Sequence, residues 1–311
     1  MTLLVNPTPR YSASAAADGS GNVILFGGKT TANTSTPGFC GDSYKFASGA
    51  WTKITGTLPP YRAEAPCFYD GTSINIICGA NENVNLSDQW QWTSGSNWSK
   101  VSLPAETIPY PQPTTLRAAS ATYMSSDTSA FLFGGSTPYN RAYTIDTWSW
   151  QNPATWTLLP QTVSPPAVEY SSMASNGLKN VLFGGKNFSG GNSFTYTFNG
   201  TIWANVSSGI PGINCPSPRY GASMTYDSSG VFVLFGGITA NGYSNETWQY
   251  TIGTNTWVNV SPTISPPPMG FNNLVFSSAS SSSLLFGGKD NQQVFGQTWI
   301  YTSGVNTWVK Q

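Results

Sequence analysis

The sequence predicts an all-β chain folded as a six-bladed β-propeller, with four antiparallel strands in each blade. Three observations carry this. An apolar segment ending in glycine recurs six times at a near-constant interval. Each copy is accompanied by three further strand-length segments. No stretch shows the apolar period of a helix.

The recurring segment reads VILFGG (23–28), INIICG (74–79), AFLFGG (130–135), NVLFGG (180–185), FVLFGG (232–237) and SLLFGG (283–288). Its last glycines stand at 28, 79, 135, 185, 237 and 288, so the intervals are 51, 56, 50, 52 and 51. In the second copy Cys78 replaces the first glycine. This is the second strand of each repeat. The first strand precedes it: RYSASAAA, RAEAPCFY, RAASATYM, EYSSMAS, RYGASMTY and GFNNLVFS. Turns such as DGSG (18–21), DGTS (70–73), SNGLKN (175–180) and DSSG (227–230) join the two. A third, aromatic strand follows after a variable loop: DSYKF, DQWQW, DTWSW, SFTYTF, ETWQY and QTWIY. The fourth carries one tryptophan, Trp51, Trp98, Trp156, Trp203, Trp257 or Trp308.

One four-stranded unit cannot bury both of its faces, whereas six arranged radially bury each sheet against its neighbours. The glycine pair suits the crowded end of the second strand, and the large rings suit the wedge that widens outward. The chain then forms one domain, residues 1–311, with repeats at about 10–56, 62–103, 117–160, 169–208, 219–261 and 270–311. The opening Thr2-Leu3-Leu4-Val5 resembles Thr157-Leu158-Leu159-Pro160, which follows Trp156. The ring is therefore expected to close in blade six by both termini, with residues 2–5 continuing or flanking its outer strand.

Apolar-apolar-Gly-Gly, an aromatic strand and a tryptophan at a period near fifty residues resemble the kelch repeat, over essentially all of residues 10–311. The WD40 pattern, with its shorter period and its Gly-His and Trp-Asp pairs, is absent. In kelch adaptors of this resemblance, arginines at the starts of first strands help to bind acidic peptides. Galactose oxidase is similar in its kelch propeller, but its copper site needs histidine, and this chain has none. The iron site of kelch-type plant specifier proteins fails the same test.

Strand order assigns the short turns to one face and the long loops to the other. The long loops are 29–41, 80–87, 136–145, 186–192, 238–245 and 289–296, and a ligand is expected there. Arg10, Arg62, Arg117 and Arg219 open first strands, and Lys29, Lys186 and Lys289 follow glycine pairs, so seven of the 13 cations would ring one mouth. One reading is a site for a carboxylate, a sulfate or an acidic peptide. The other is that these side chains tie loops together through backbone carbonyls and Glu64, Glu82, Glu169 or Asp290. Loop aromatics, Phe39, Tyr139, Tyr143, Phe188, Tyr243 and Phe295, would stack on a sugar or anchor a peptide, or else cover small cores of their own.

Most acids belong to the repeat. Asp18, Asp70, Asp127 and Asp227 sit at turns, and Asp42, Asp88, Asp146 and Glu246 open third strands. No acid pair stands out as a glycosidase pair. Cys67 and Cys78 fall opposite each other about a turn centred at Thr72-Ser73, which would permit a disulfide, with Cys40 a competing partner and free thiols the alternative. Eight Asn-x-Ser/Thr sequons occur, which matter only for a secreted chain in a glycosylating host.

Charged residues are only 8% of the chain and balance at 13 against 13, so non-specific binding to nucleic acid is not expected. The hydroxyl- and amide-rich remainder suits an extracellular or cell-surface setting. MTLLVNPTPR lacks a signal-peptide pattern, as a mature domain with an added Met would, and no apolar run reaches the length of a membrane span. Without histidine, no cofactor, metal site or Ser-His chemistry is expected. The expected function is non-catalytic recognition or adhesion, binding a glycan or protein through the long-loop face. The alternatives are a carbohydrate-active enzyme using carboxylates on that face and a structural subunit of a surface filament or layer.

Overall fold

The computed structural model describes residues 5–31, 38–82, 84–103, 113, 116–137, 142–151, 155–227 and 229–311. It is a six-bladed propeller of four-stranded antiparallel sheets, each blade's strands following in chain order, with the short ribbons Lys186–Asn187/Gly190–Gly191 and Ile238–Thr239/Gly242–Tyr243 in the loops of blades four and five. Blade one comprises Ser14–Ala17, Val23–Phe26, Ser43–Ala47 and Ala50–Ile54. Blade two comprises Cys67–Tyr69, Ile74–Ile77, Gln89–Trp92 and Trp98–Lys100. Blade three comprises Ser120–Met124, Ser129–Phe133, Thr147–Gln151 and Thr155–Leu159. Blade four comprises Ser172–Ser175, Asn180–Phe183, Thr195–Phe198 and Trp203–Asn205. Blade five comprises Ser223–Tyr226, Phe232–Phe235, Thr247–Thr251 and Thr256–Asn259. Blade six comprises Asn273–Ser277, Ser282–Phe286, Thr298–Thr302 and Thr307–Lys310.

Burial explains the pattern of each strand. The second strands lie between two neighbouring blades and are buried at every position, so they read as apolar runs, with a buried Asn75 and Asn180 in blades two and four. The fourth strands bury little beyond their tryptophan and expose the residues around it.

Each tryptophan also locks its blade to the preceding one. The indole N–H donates to the first residue of that blade's third strand: Trp98 to Ser43, Trp156 to Gln89, Trp203 to Thr147, Trp257 to Thr195, Trp308 to Thr247 and Trp51 to Thr298. All six bonds are buried and run from 2.9 to 3.1 Å. The phenylalanine before the glycine pair packs on the same indole, as in Phe286 with Trp51 and Phe235 with Trp308.

The glycine pair answers to a close approach. A Cβ on Gly287 would lie 2.3 Å from the Arg10 carbonyl oxygen, and one on Gly27 2.3 Å from that of Arg62, with φ at +72° and +70°. Cys78 adopts φ 57° at the equivalent place and directs its thiol to the Pro113 carbonyl at 3.4 Å.

The ring closes between blade six and blade one. The Arg10 N–H donates to Phe295, Gly288 to Arg10 and Ser12 to Phe271, while the C-terminal strand completes blade six. Of the residues expected to flank that strand, 2–4 lie outside the described residues, and Val5 is exposed and in no strand.

The cysteine reading is corrected. Cys67 pairs with Ile76, which centres the turn one residue earlier than the sequence suggested, so Cys78 does not face it. All four thiols are free. The turn acids behave as expected: Asp18 accepts from the Ser20 and Asn22 amides, and Asp70 from those of Thr72 and Ser73.

Candidate functional site

At the long-loop end of the axis the first strands begin with one left-handed residue per blade. These are Ser12, Glu64, Ala118, Tyr170, Gly221 and Phe271, with φ between 53° and 64°. Each donates its backbone N–H to the carbonyl of the counterpart in the preceding blade: Glu64 to Ser12, Ala118 to Glu64, Tyr170 to Ala118, Gly221 to Tyr170, Phe271 to Gly221 and Ser12 to Phe271. The six bonds, 2.7 to 3.0 Å, form a closed belt around the axis. Five of the six are not glycine, and the belt offsets the strain of that backbone region.

The belt lines a cavity of about 140 Å³ that opens on the long-loop face. Small residues follow the belt and leave this room: Ala13, Ala65, Ala119, Ser171 and Ala222, with Asn272 in blade six. Phe271 reaches across toward Tyr11, Tyr170 and Tyr220, its ring centroid 6.3, 5.0 and 6.2 Å from theirs. Gly221 admits it, because a Cβ there would stand 2.9 Å from the Phe271 ring.

Glu64 is the acid of the belt. Its side chain is 5% exposed; Oε1 accepts from Lys29 Nζ at 2.6 Å, and Oε2 lies 3.9 Å from Arg117 Nε. That Oε2 accepts no hydrogen bond of ordinary geometry from the described residues. Beside it, burial first and the Glu64 and Glu169 charges second hold the Tyr170 hydroxyl protonated, well above the usual phenol range. A second acid, Glu169, accepts from Ser136 Oγ at 2.8 Å and meets Lys186 Nζ at 3.7 Å. Lys289 has no ion pair among the described residues and stands 5.0 Å over the Tyr11 ring. Burial and then the nearby Lys29 charge lower its pKa, against the pull of Asp290.

The arginines divide. Arg10, Arg62 and Arg219 are buried clamps: each guanidinium is 0% exposed and pairs with the acid opening its blade's third strand, Asp42, Asp88 or Glu246. Each also donates to the carbonyl of the first residue of its glycine pair, Gly27, Cys78 or Gly236. They do not ring the mouth, and the acids expected to be structural are their partners. Blades three, four and six place Leu116, Val168 and Met269 at that position. Arg117 lies one residue further along, next to the belt. Its side chain is 30% exposed, and among the described residues only its Nε makes a hydrogen bond, 3.4 Å to Ser136 Oγ.

The loop aromatics divide as well. Lys29 sits 5.2 Å over Phe39, and Phe188, 80% exposed, packs on Tyr143 at 4.6 Å. Tyr243 is half-buried at the mouth, and burial, then Tyr220 and Asp290, push its pKa up to about 12. Phe295 instead belongs to the core between blades five and six. Tyr139 lies outside the described residues. The belt itself escaped sequence reading; its signal is the small residue that follows it in most blades.

Fold and repeat together make this a six-bladed propeller whose repeats resemble the kelch repeat. Residues 180–311 match the family model described as the Attractin/LZTR1 beta-propeller. Over the full length, the solved structure titled "Structure of YjhT" superposes with a TM-score of 0.74 at 14% sequence identity, covering 98% of each chain. At that identity the likeness shows the fold alone. No curated protein matches this sequence.

Proposed function

We propose that this propeller is a recognition module that binds an anionic group of a glycan or protein ligand at the axial mouth of its long-loop face. The observation that carries the reading is Arg117. It alone of the four first-strand arginines makes no hydrogen bond through its two terminal amines among the described residues, and it sits beside the cavity. Lys186 and Lys289 extend the positive rim, and the half-buried aromatics add apolar contact area. Arginine presents parallel donors to a carboxylate or sulfate, which suits the free side of this guanidinium. A role outside the cell or at its surface is proposed on the low charge content, 8%, with no help from disulfides, since the thiols are free.

The test is an array of acidic and neutral glycans and acidic peptides probed with wild type and with Arg117→Ala/Lys186→Ala/Lys289→Ala. The reading expects selective acidic binding that the variant loses at an unchanged melting temperature. Binding that survives the variant would move the ligand away from this mouth.

A further inference from the structure

Glu64 lines the cavity, and its Oε2 is a buried carboxylate oxygen that accepts no hydrogen bond of ordinary geometry from the described residues. Buried charged acceptors are rarely left so, because an unmade bond to a charged group costs more than one to a neutral group. The Lys29 ammonium is already held by Oε1 at 2.6 Å and Arg117 Nε stops 3.9 Å short; the Tyr170 hydroxyl interacts with Glu64 but gives Oε2 no bond of ordinary geometry. The atom therefore calls for a donor from outside the chain.

The surroundings select that donor. A cationic group would enter beside Lys29 and Arg117, with Lys186 and Lys289 near, and be repelled. A carboxylate would meet Glu64 itself. What remains is a neutral donor, an O–H or an amide N–H. The cavity, about 140 Å³, opens on the long-loop face, so a ring can seat one edge and one hydroxyl in it while the rest stays outside. One wall is the Phe271 ring, set edge-to-face against Tyr170 at 5.0 Å, a surface suited to the C–H face of a sugar.

We infer that the cavity is a subsite for one hydroxylated ring, a monosaccharide unit, which donates an O–H to Glu64 Oε2 while its face rests on Phe271. The inference rests on the mouth being the binding site. Joined to Arg117, it makes the ligand a hydroxylated acid rather than an anion alone: the hydroxyl reaches inward to Glu64 and the acid group outward to the guanidinium.

Calorimetry and saturation-transfer NMR on the whole chain test it, with glucuronic acid, galacturonic acid, their methyl glycosides and acetate as probes. Glu64→Gln keeps an acceptor for Lys29 and turns the free oxygen into a donor. At least one uronic acid should bind about tenfold or more tighter than acetate. The same affinity should fall about tenfold or more in Glu64→Gln, the scale of a bond to a charged group, while acetate binding does not weaken and circular dichroism shows the fold retained, the loss of the Lys29 pair lowering the melting temperature. Should Glu64→Gln fail to fold, Lys29→Met/Glu64→Met removes the pair together and carries the same expectation. Equal binding of uronic acid to wild type and variant, acetate matching the sugars, or no sugar bound at all would each overturn the subsite. The array with the Arg117 variant judges the mouth separately. Binding of the methyl glycosides points to a sugar at a glycan terminus, and binding of the free sugars alone to a free monosaccharide; both support the subsite.

Discussion

Replacing Arg62 with methionine tests the division of the arginines. The side chain donates Nη1 to Cys78 O at 3.0 Å and to Asp88 Oδ1 at 2.6 Å, Nη2 to Asp88 Oδ2 at 3.0 Å, and Nε to Pro60 O at 3.1 Å. Volume is not the difficulty, because Met269 fills the same place in blade six. The cost is Asp88, left 17% exposed with only the weaker charge of Lys100 and the Trp90 Nε1 hydrogen bond to hold it. Breaking one partner from a buried pair costs about 3–5 kcal/mol, and residual exposure puts this one near 3 kcal/mol. With an unfolding entropy of about 2.1 cal/mol/K per residue, 1 kcal/mol shifts a chain of this length by about 1.5 °C, so the melting temperature should fall by about 4–5 °C. Arg62→Met/Asp88→Gln, which copies the Met269–Gln297 pair of blade six, should recover at least half of that.

The pH dependence has a definite sign. Burial alone would raise the Asp88 pKa, but the hydrogen bonds and charge of Arg62 overcome it and hold the carboxyl below its usual range. The pair therefore stabilises the fold above about pH 4 and loses that effect as the pH falls through the lowered value. The variant's deficit should be full at pH 7 and shrink toward pH 3. Circular-dichroism melts of the three proteins at both pH values decide the matter. A single variant within about 1 °C of wild type at pH 7, or a double variant no better than the single, would refute the clamp.

Gly287→Ala should destabilise by about 2 kcal/mol or more in urea titrations, through its 2.3 Å contact and positive φ, whereas Gly304→Ala, with nothing within 4 Å, should stay within about 0.5 kcal/mol. Trp308→Phe keeps an aromatic ring on Phe235 but loses the N–H to Thr247, and should cost about 1–3 kcal/mol by the same assay. Gly221→Ala should push Phe271 from its place and change near-ultraviolet circular dichroism, while leaving the far-ultraviolet strand signal. Acid titration of wild type should show stability falling below about pH 4, since Arg10, Arg62 and Arg219 overcome burial to hold Asp42, Asp88 and Glu246 below their ordinary values.

The blades were legible because their chemistry repeats. Glycine pairs, tryptophans and third-strand starts recur in register, so strand number and order follow from spacing. The site was less legible because register within the first strand turns on a single residue. Aligning RYSA, RAEA, RAAS and RYGA on their arginines treats four side chains as equivalent. Aligning on the belt puts Leu116, not Arg117, beside Arg10, Arg62 and Arg219. One position converts a buried clamp into a cation at the mouth. Glu64 stayed inconspicuous for a related reason. Its role depends on a left-handed backbone and on partners from blades one and three, Lys29 and Arg117, and no local pattern brings these together.

The indole bonds between blades have a further consequence. Every blade offers a donor to the blade before it and an acceptor to the blade after it, and the join from Trp51 to Thr298 uses the same grammar as the other five. Because acceptors as different as serine, threonine and glutamine serve, the contact does not recognise which blade it meets. Neighbours are thus exchangeable in chemistry even where their loops differ. Duplicating or replacing one repeat would present its flanking blades with a surface they already accept, leaving each blade's loops free to diverge without disturbing the wheel.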